Sequence, residues 1–425
     1  MNKSLADECL TCMNGLCIKG CPLNNDITEF IKFIKEDRLE DAYKVLSNTT
    51  VLMSICGRVC PHSKLCEGSC IKNKLNNPVK IGKLESMIGD LSLEKNWNID
   101  VPKETKYNVA VVGSGPSSLT CAAFLRKNGI GVTIYEKYDY LGGLLVHGIP
   151  DFRLDKNLVK KVTDSIINLG IDVKYNTALG KDISLEELKE KHDAVFIGIG
   201  ANVSNKMNIE GEDLEGVYGA NEILEYNENI DYKGKNVVIS GGGNVATDIA
   251  RTVIRKGAKK VTIIYRRSQN EMPADTKEVE DAINDKVEFL YQTNILKILG
   301  DINVREIEVI KTELIDKENE RPYPVNVEGT NYNISCDIVI SAVGSHIASE
   351  VNNFKLEKQS NGKIIIDEEG HTSDEKVFSG GDVAGVPSTV SWASFSGRKA
   401  AYSIIKYLGG TYDEKVNDWF RWCNI

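Results

Sequence analysis

Val111-Val112-Gly113-Ser114-Gly115-Pro116-Ser117-Ser118 decides how the rest of this chain is read. It follows a buried-type strand, Asn108–Val112, and precedes a helical pattern through Leu125 to Lys127. The stretch fits G-x-G-x-x-G with Ser118 in the third place. The first glycine allows a tight turn, the second lets backbone approach a pyrophosphate, and the third place needs only a small side chain. The helix that follows would aim free N–H groups and its positive dipole end at the phosphates. Val132–Tyr135 reads as the next strand. Glu136 closes it, 21 residues beyond Gly115, where an acid can bond a ribose hydroxyl.

The unit recurs further along the chain. Lys235–Ser240 is strand-like, Gly241-Gly242-Gly243-Asn244-Val245-Ala246 fits G-x-G-x-x-A, a helix runs from Val245 to Arg255, and Lys260–Tyr265 is the next strand. This strand ends in Tyr265-Arg266-Arg267, with no carboxylate for a ribose. A guanidinium at that place pairs with a 2′-phosphate, so the second site is expected to prefer NADPH. Two dinucleotide sites in one chain imply hydride relay between bound cofactors, and the usual partner of a nicotinamide is a flavin. The expected fold is α/β, with two Rossmann-like dinucleotide-binding domains.

Toward the N-terminus the composition changes. Of eleven cysteines in 425 residues, eight fall in the first 70, as Cys9-x2-Cys12-x4-Cys17-x3-Cys21-Pro22 and Cys56-x3-Cys60-Pro61-x4-Cys66-x3-Cys70. Disulfides need an oxidising compartment, and no signal-peptide core opens the chain, so a cytoplasmic protein with metal or cluster ligation is expected. Closely spaced thiolates with proline after a ligand are typical of iron–sulfur runs. Zinc in a docking module would accept part of the spacing, and on spacing alone it stays open. A helical stretch, Asp26 to Leu46, lies between the runs, with Ile27, Phe30, Ile31 and Ile34 at helical spacing.

A formal net charge of -9 argues against a general nucleic-acid binder, and no apolar run is long enough to span a membrane. The five histidines form no metal-spaced cluster. Cys121, Cys336 and Cys423 are isolated, so the redox pair of a disulfide reductase is absent from the sequence. The expected domains are 1–100, helical and cysteine-bearing; 101–225 with 340–425, for the first dinucleotide; and 226–339, for NADPH.

With both glycine loops placed, the chain resembles the glutathione-reductase-type two-dinucleotide flavoproteins. More closely it resembles the family of the glutamate synthase small (β) subunit. That family includes the N-terminal half of dihydropyrimidine dehydrogenase and the large subunit of the NADH-dependent ferredoxin:NADP oxidoreductase. The resemblance implies FAD at Gly113, Ser114, Gly115, Pro116, Ser117 and Glu136, and NADPH at Gly241, Gly242, Gly243, Asn244, Val245, Arg266 and Arg267. Gly142-Gly143-Leu144-Leu145 and the segment Gly148–Leu154 look like the family's flavin-contacting stretch, which implies Gly143, Leu144 and Arg153 near the flavin. Gly380-Gly381-Asp382 resembles the late flavin motif, and Ser388-Thr389-Val390 opens a helix whose N-terminus would face the flavin ring. Ala342-Val343-Gly344 matches a crossover and implies Ala342 and Gly344 at the NADPH site. Asn270 stands where some members carry a further basic residue for the 2′-phosphate.

For the cysteines the family implies two 4Fe–4S clusters with ligands shared between the runs. Cluster one would take Cys9, Cys12, Cys17 and Cys70. Cluster two would take Cys21, Cys60 and Cys66, with Glu85 as fourth ligand, which leaves Cys56 as a buried thiol. The function implied is electron input: NADPH reduces FAD, and single electrons pass through the clusters to a larger partner subunit. No catalytic residue is singled out, because hydride transfer between bound cofactors needs mainly positioning. The electron-input part of a pyrimidine reductase or of a ferredoxin:NADP oxidoreductase is the alternative. A zinc-stabilised docking subunit is the non-enzyme alternative.

Overall fold

The computed structural model describes residues 3–226, 229–317, 320–348 and 354–411, so Cys423 lies outside the described residues. The chain forms two compact units. The first comprises 1–146, 151–201 and 347–425; the second comprises 147–150 and 202–346.

The first unit opens with helices: α1 (Lys3–Asp7), α2 (Leu16–Lys19), α3 (Ile27–Lys35), α4 (Leu39–Ser47), α5 (Met53–Val59) and α6 (Ile81–Lys95). The stretch expected as one helix from Asp26 to Leu46 is two. It starts where Asp26 accepts the Glu29 N–H at 3.0 Å and breaks at Asp37, whose φ of 62° ends α3. The break turns α4 back on α3, so both bury an apolar face. Ile27, Phe30, Ile31 and Ile34 of α3 meet Ala42, Tyr43 and Leu46 of α4 in one small core. α5 and α6 pack almost backbone to backbone: a Cβ at Gly57 would stand 2.5 Å from the Gly82 oxygen. That approach sets Glu85 of α6 beside Cys56 and Cys60.

A βαβ run follows: β1 (Asn108–Val112), α7 (Pro116–Lys127), β2 (Gly131–Tyr135), α8 (Leu144–His147), α9 (Lys156–Ile167), β3 (Asp172–Lys174), α10 (Leu185–Lys191) and β4 (Ala194–Ile197). The second unit carries β5 (Val203–Ser204), β6 (Val217–Gly219), α11 (Ala220–Tyr226), β7 (Asn236–Ser240), α12 (Asn244–Arg255), β8 (Lys260–Tyr265), α13 (Thr276–Asn284) and β9 (Glu288–Tyr291). It continues through β10 (Thr293–Gly300), β11 (Val304–Lys317), β12 (Glu320–Asn326), β13 (Tyr332–Ser335), β14 (Ile338–Ser341) and β15 (Ser345–His346). The chain returns to the first unit with β16 (Val377–Ser379) and α14 (Val390–Tyr407).

Each unit has a five-stranded parallel sheet, ordered β16-β4-β1-β2-β3 in the first and β6-β14-β7-β8-β9 in the second. Strand order reverses at β1 and again at β7, and ligands of such sheets sit beyond the carboxyl ends at that reversal. Both glycine loops leave those two strands. The strands are near-continuous apolar runs because both faces are covered: Val109–Val112 are buried throughout. Ile239 of β7 and Ile249 of α12 have no exposed surface, and such side chains contribute about 1.5–3 kcal/mol each.

The second unit starts at 202, where the sequence expectation placed 226. β6 pairs with β14 and β5 with β15, which draws 203–226 away from the flavin-type sheet. β10–β13 form an antiparallel sheet that the sequence reading did not separate from the NADPH-type fold. Among the described residues no helix is long and apolar enough to cross a membrane.

Candidate functional site

The two glycine loops have the backbone a dinucleotide needs. Gly113 has φ +87°, and a Cβ there would stand 2.8 Å from the Gly198 oxygen. Gly241 has φ +147°, and a Cβ would stand 2.3 Å from the Ala342 oxygen. Any side chain would break the turn at either place. Gly115 and Gly243 are the opposite case: nothing lies within 4 Å of a Cβ built on either. Those two positions leave the space through which a phosphate would approach, and each caps the helix behind it, α7 and α12. Ser118, the departure from the third glycine, is fully buried and its hydroxyl donates to the Val112 or Gly198 oxygen, at 3.3 and 3.2 Å.

Glu136 is buried at the end of β2 and faces the first loop. It accepts from the Ser114 hydroxyl at 2.5 Å and from the Tyr138 N–H at 3.0 Å. Burial pushes its carboxyl up to about 7, and the Ser114 bond offsets part of that. Ser114 in turn accepts the Gly142 N–H at 3.0 Å, which ties the Gly142–Leu144 turn to the loop. Asp382 follows Gly381, whose N–H donates to Ser396 at 2.9 Å. Burial raises the Asp382 carboxyl and a hydrogen bond from Ser388 opposes it. Thr389 caps α14 by accepting the Trp392 N–H at 3.3 Å. Gly113 to Ser117, Glu136, Gly143, Leu144, Gly381, Asp382 and Ser388 to Val390 thus belong to one unit, as does Arg153.

At the second loop, Asn244 accepts the Asp275 N–H at 2.9 Å, and the Tyr265 ring lies against Gly242. Arg266 is exposed, while Arg267 Nε donates to the Pro322 oxygen at 2.8 Å. Sequence reasoning missed Arg321 on β12, whose Nη2 donates to the Tyr265 hydroxyl at 2.6 Å. It brings a third guanidinium to the end of β8, although Asn270 leaves the local position uncharged. The signal was invisible because Arg321 reaches β8 only through the antiparallel sheet, 56 residues on. Ala342 and Gly344 lie on the far side, where the Asn205 N–H donates to the Gly344 oxygen.

The two cysteine runs cross over. Cys9, Cys12, Cys17 and Cys70 line one cavity of ≈ 60 Å³. Burial pushes the Cys17 thiol up to about 11, with further rises from Cys70 and Cys9. Cys21, Cys60, Cys66 and Glu85 form a second group. Burial pushes Cys21 up to about 12, and Glu85 and Cys60 add to it. Burial also raises Cys66 and Glu85, and Cys60 contributes to both. Cys56 sits behind this group and donates its S–H to Cys60, which lowers Cys60; Ser391 of α14 adds hydroxyl and N–H bonds to the same sulfur.

Two crowded sets of thiols, the second with a buried carboxyl, fit a cationic metal core, which takes thiolate and carboxylate ligands. Among the described residues no three His, Cys, Asp or Glu side chains close on a point as around a single ion.

Comparison with known proteins bears on both halves of the chain. Residues 107–397 match the pyridine nucleotide-disulphide oxidoreductase family. Residues 2–97 match dihydropyrimidine dehydrogenase domain II, 4Fe-4S cluster. The glutamate synthase [NADPH] small chain of Escherichia coli is 36% identical, over 96% of this chain and 91% of its own. The NADPH-Fe(3+) oxidoreductase subunit beta of Geobacter sulfurreducens is 36% identical, over 95% of this chain and 66% of its own. Among solved structures, Mycobacterium tuberculosis FprA in complex with NADPH shares the fold, with a TM-score of 0.64, 20% identity and coverage of 74% of this chain and 90% of that one.

Proposed function

The chain belongs to the pyridine nucleotide-disulphide oxidoreductase family in the form carried by the glutamate synthase small chain, and from that premise we propose that it is the electron-input subunit of a larger enzyme, oxidising NADPH and reducing a partner through FAD and two 4Fe–4S clusters. The observation that carries this reading is the crossing of the cysteine runs into two separate groups of four, one at a half-open surface cavity and one against α14.

When bound, FAD accepts hydride from the nicotinamide, and the clusters pass on single electrons. The protein's part is to hold and orient. Gly113 to Ser117 would cradle the flavin pyrophosphate, and Glu136 would accept from its ribose. Gly143, Leu144, Arg153, Gly381 and Asp382 would seat the rest. Ser388, Thr389 and Val390 would present the N-terminus of α14, whose dipole favours negative charge on a reduced ring. Gly241 to Val245, Ala342 and Gly344 would hold NADPH, with Arg266, Arg267 and Arg321 on its 2′-phosphate. Cys9, Cys12, Cys17 and Cys70 would bind one cluster; Cys21, Cys60, Cys66 and Glu85 would bind the other.

Exposed apolar side chains ring the first cysteine group: Leu10, Leu16 and Ile71 at its wall, Met13 at 98% and Leu75 at 80% exposure nearby. A soluble monomer seldom gathers so many, and they support an electron exit covered by a partner.

Protein purified without oxygen tests the proposal. About eight irons per chain, with absorbance shoulders beside the flavin bands that bleach on adding NADPH, is the expected result. Zinc in place of iron, or clusters that stay oxidised while the flavin reduces, would overturn it. For the nucleotide, Arg321→Ala should raise the NADPH dissociation constant about tenfold or more and leave NADH unchanged, since a charged hydrogen bond contributes about 1.5–3 kcal/mol. Equal effects on both nucleotides would remove Arg321 from the 2′-phosphate.

A further inference from the structure

Glu85 is held by a line of hydrogen bonds that ends on α14. Its Oε1 accepts from Asn25 Nδ2 at 3.1 Å. Asn25 is only 2% exposed, and its Oδ1 accepts from the Thr49 hydroxyl at 2.6 Å. The Thr49 carbonyl accepts from Arg398 Nη1 at 2.5 Å, and the Leu23 carbonyl accepts from Arg398 Nη2 at 3.0 Å. Arg398 is itself 2% exposed.

The line has a direction. Thr49 has one hydroxyl proton and two acceptors in reach, Asn25 Oδ1 at 2.6 Å and the Leu46 oxygen at 3.2 Å. Two oxygens at 2.6 Å need a proton between them, so the proton goes to Asn25. Asn25 then has its amide donor end toward Glu85. With Glu85 ionised as a ligand, reversing the amide would set two oxygens against each other there. The Thr49 hydroxyl and the Asn25 amide therefore both donate toward the carboxylate, which is the arrangement an anionic ligand requires. Arg398 fixes the backbone on both sides: Leu23 lies two residues before Asn25, and Thr49 supplies the hydroxyl. A buried guanidinium kept only for stability would be costly, because its desolvation is large. Here it satisfies two buried carbonyls and places a cation near Cys21.

We infer that Asn25, ordered by Thr49 and Arg398, is the positioning residue for Glu85, and that this line of bonds sets the reduction potential of the cluster Glu85 would share with Cys21, Cys60 and Cys66. The inference rests on the proposed role of Glu85 as a ligand. Removing the Asn25 donor leaves the carboxylate a stronger electron donor to the metal, which favours the oxidised cluster and lowers its potential.

The experiment is a redox titration of the anaerobically purified full chain followed by electron paramagnetic resonance. Iron content, FAD content and melting temperature are measured alongside. Asn25→Ala should keep FAD and iron and shift one cluster, and one only, to lower potential by about tenfold in its reduction equilibrium, about 59 mV for one electron. Thr49→Val, nearly isosteric, should shift the same cluster in the same direction by less; it decides the matter if Asn25→Ala does not fold. A lower melting temperature with both midpoints unmoved would make the network structural only and overturn the inference. Glu85→Ala separates the two levels. If it alters the signal of one cluster while Asn25→Ala and Thr49→Val do not, the ligand reading stands and the positioning role falls. If Glu85→Ala changes neither cluster, both fall.

Discussion

At the scale of single residues, Glu136 has been moved into the range where cells work. Burial lifts its carboxyl from 4.5 to about 7. A raised folded value stabilises the apoprotein below about 4.5, and that contribution is lost as the pH rises through about 7. Ribose hydroxyls donate to a carboxylate, so binding of FAD must expel the proton at pH 6 but not at pH 8. The FAD dissociation constant is therefore expected to be about tenfold higher at pH 6 than at pH 8, read from the fluorescence of released flavin. Glu136→Gln should flatten that profile. An affinity unchanged across the range would place the ribose elsewhere. Glu136 was legible because a βαβ unit sets the interval between loop and acid. Asn25, Thr49 and Arg398 were not, since their meaning comes from contacts as much as 375 residues apart that no local pattern records.

At the scale of elements, α7 and α14 cross with their backbones touching. A Cβ at Gly397 would stand 2.0 Å from the Ser117 oxygen, and Ser117 bonds Ser396 at 3.1 Å. The helix that follows the first glycine loop and the helix proposed to face the flavin ring are thus seated by one small residue. Gly397→Ala should force them apart, at about 1–3 kcal/mol or more. Lower melting temperature and reduced FAD per chain are the expected readings; a variant with full FAD and unchanged melting would show that the crossing has slack. The βαβ elements were plain in the sequence because glycine loops and apolar runs mark them within about 30 residues. The split of the helix at Asp37 was not, because a left-handed aspartate leaves no gap in the apolar pattern. The antiparallel sheet of β10–β13 was also missed; β13, for one, is largely exposed and lacks the strict alternation that marks a half-buried strand.

At the scale of the whole molecule, an acidic chain carries basic side chains beside one exposed apolar patch. The chain carries -9 overall, yet Lys19 and Lys74 stand beside Cys70, Leu16 and Ile71, while Lys72 is paired with Glu8. A partner with an apolar centre and an acidic border suits that face. The double variant Met13→Glu, Leu75→Glu should keep its FAD, iron and NADPH-driven dye reduction, because neither residue lines a cofactor position. It should lose the partner in anaerobic co-purification. Retention of the partner would move the docking face elsewhere.

Arg398 also has a consequence in time. The loops it completes are made 349 and 375 residues before it. At ribosomal rates of about 5–20 residues per second, the cysteine segment waits roughly 20–75 s for its buried cation. The region synthesised first is finished among the last, so its thiols leave the ribosome in a half-built pocket. Metal delivery to the inner group is accordingly expected to follow synthesis of Arg398, and a nascent chain stalled before Arg398 should take up iron poorly there.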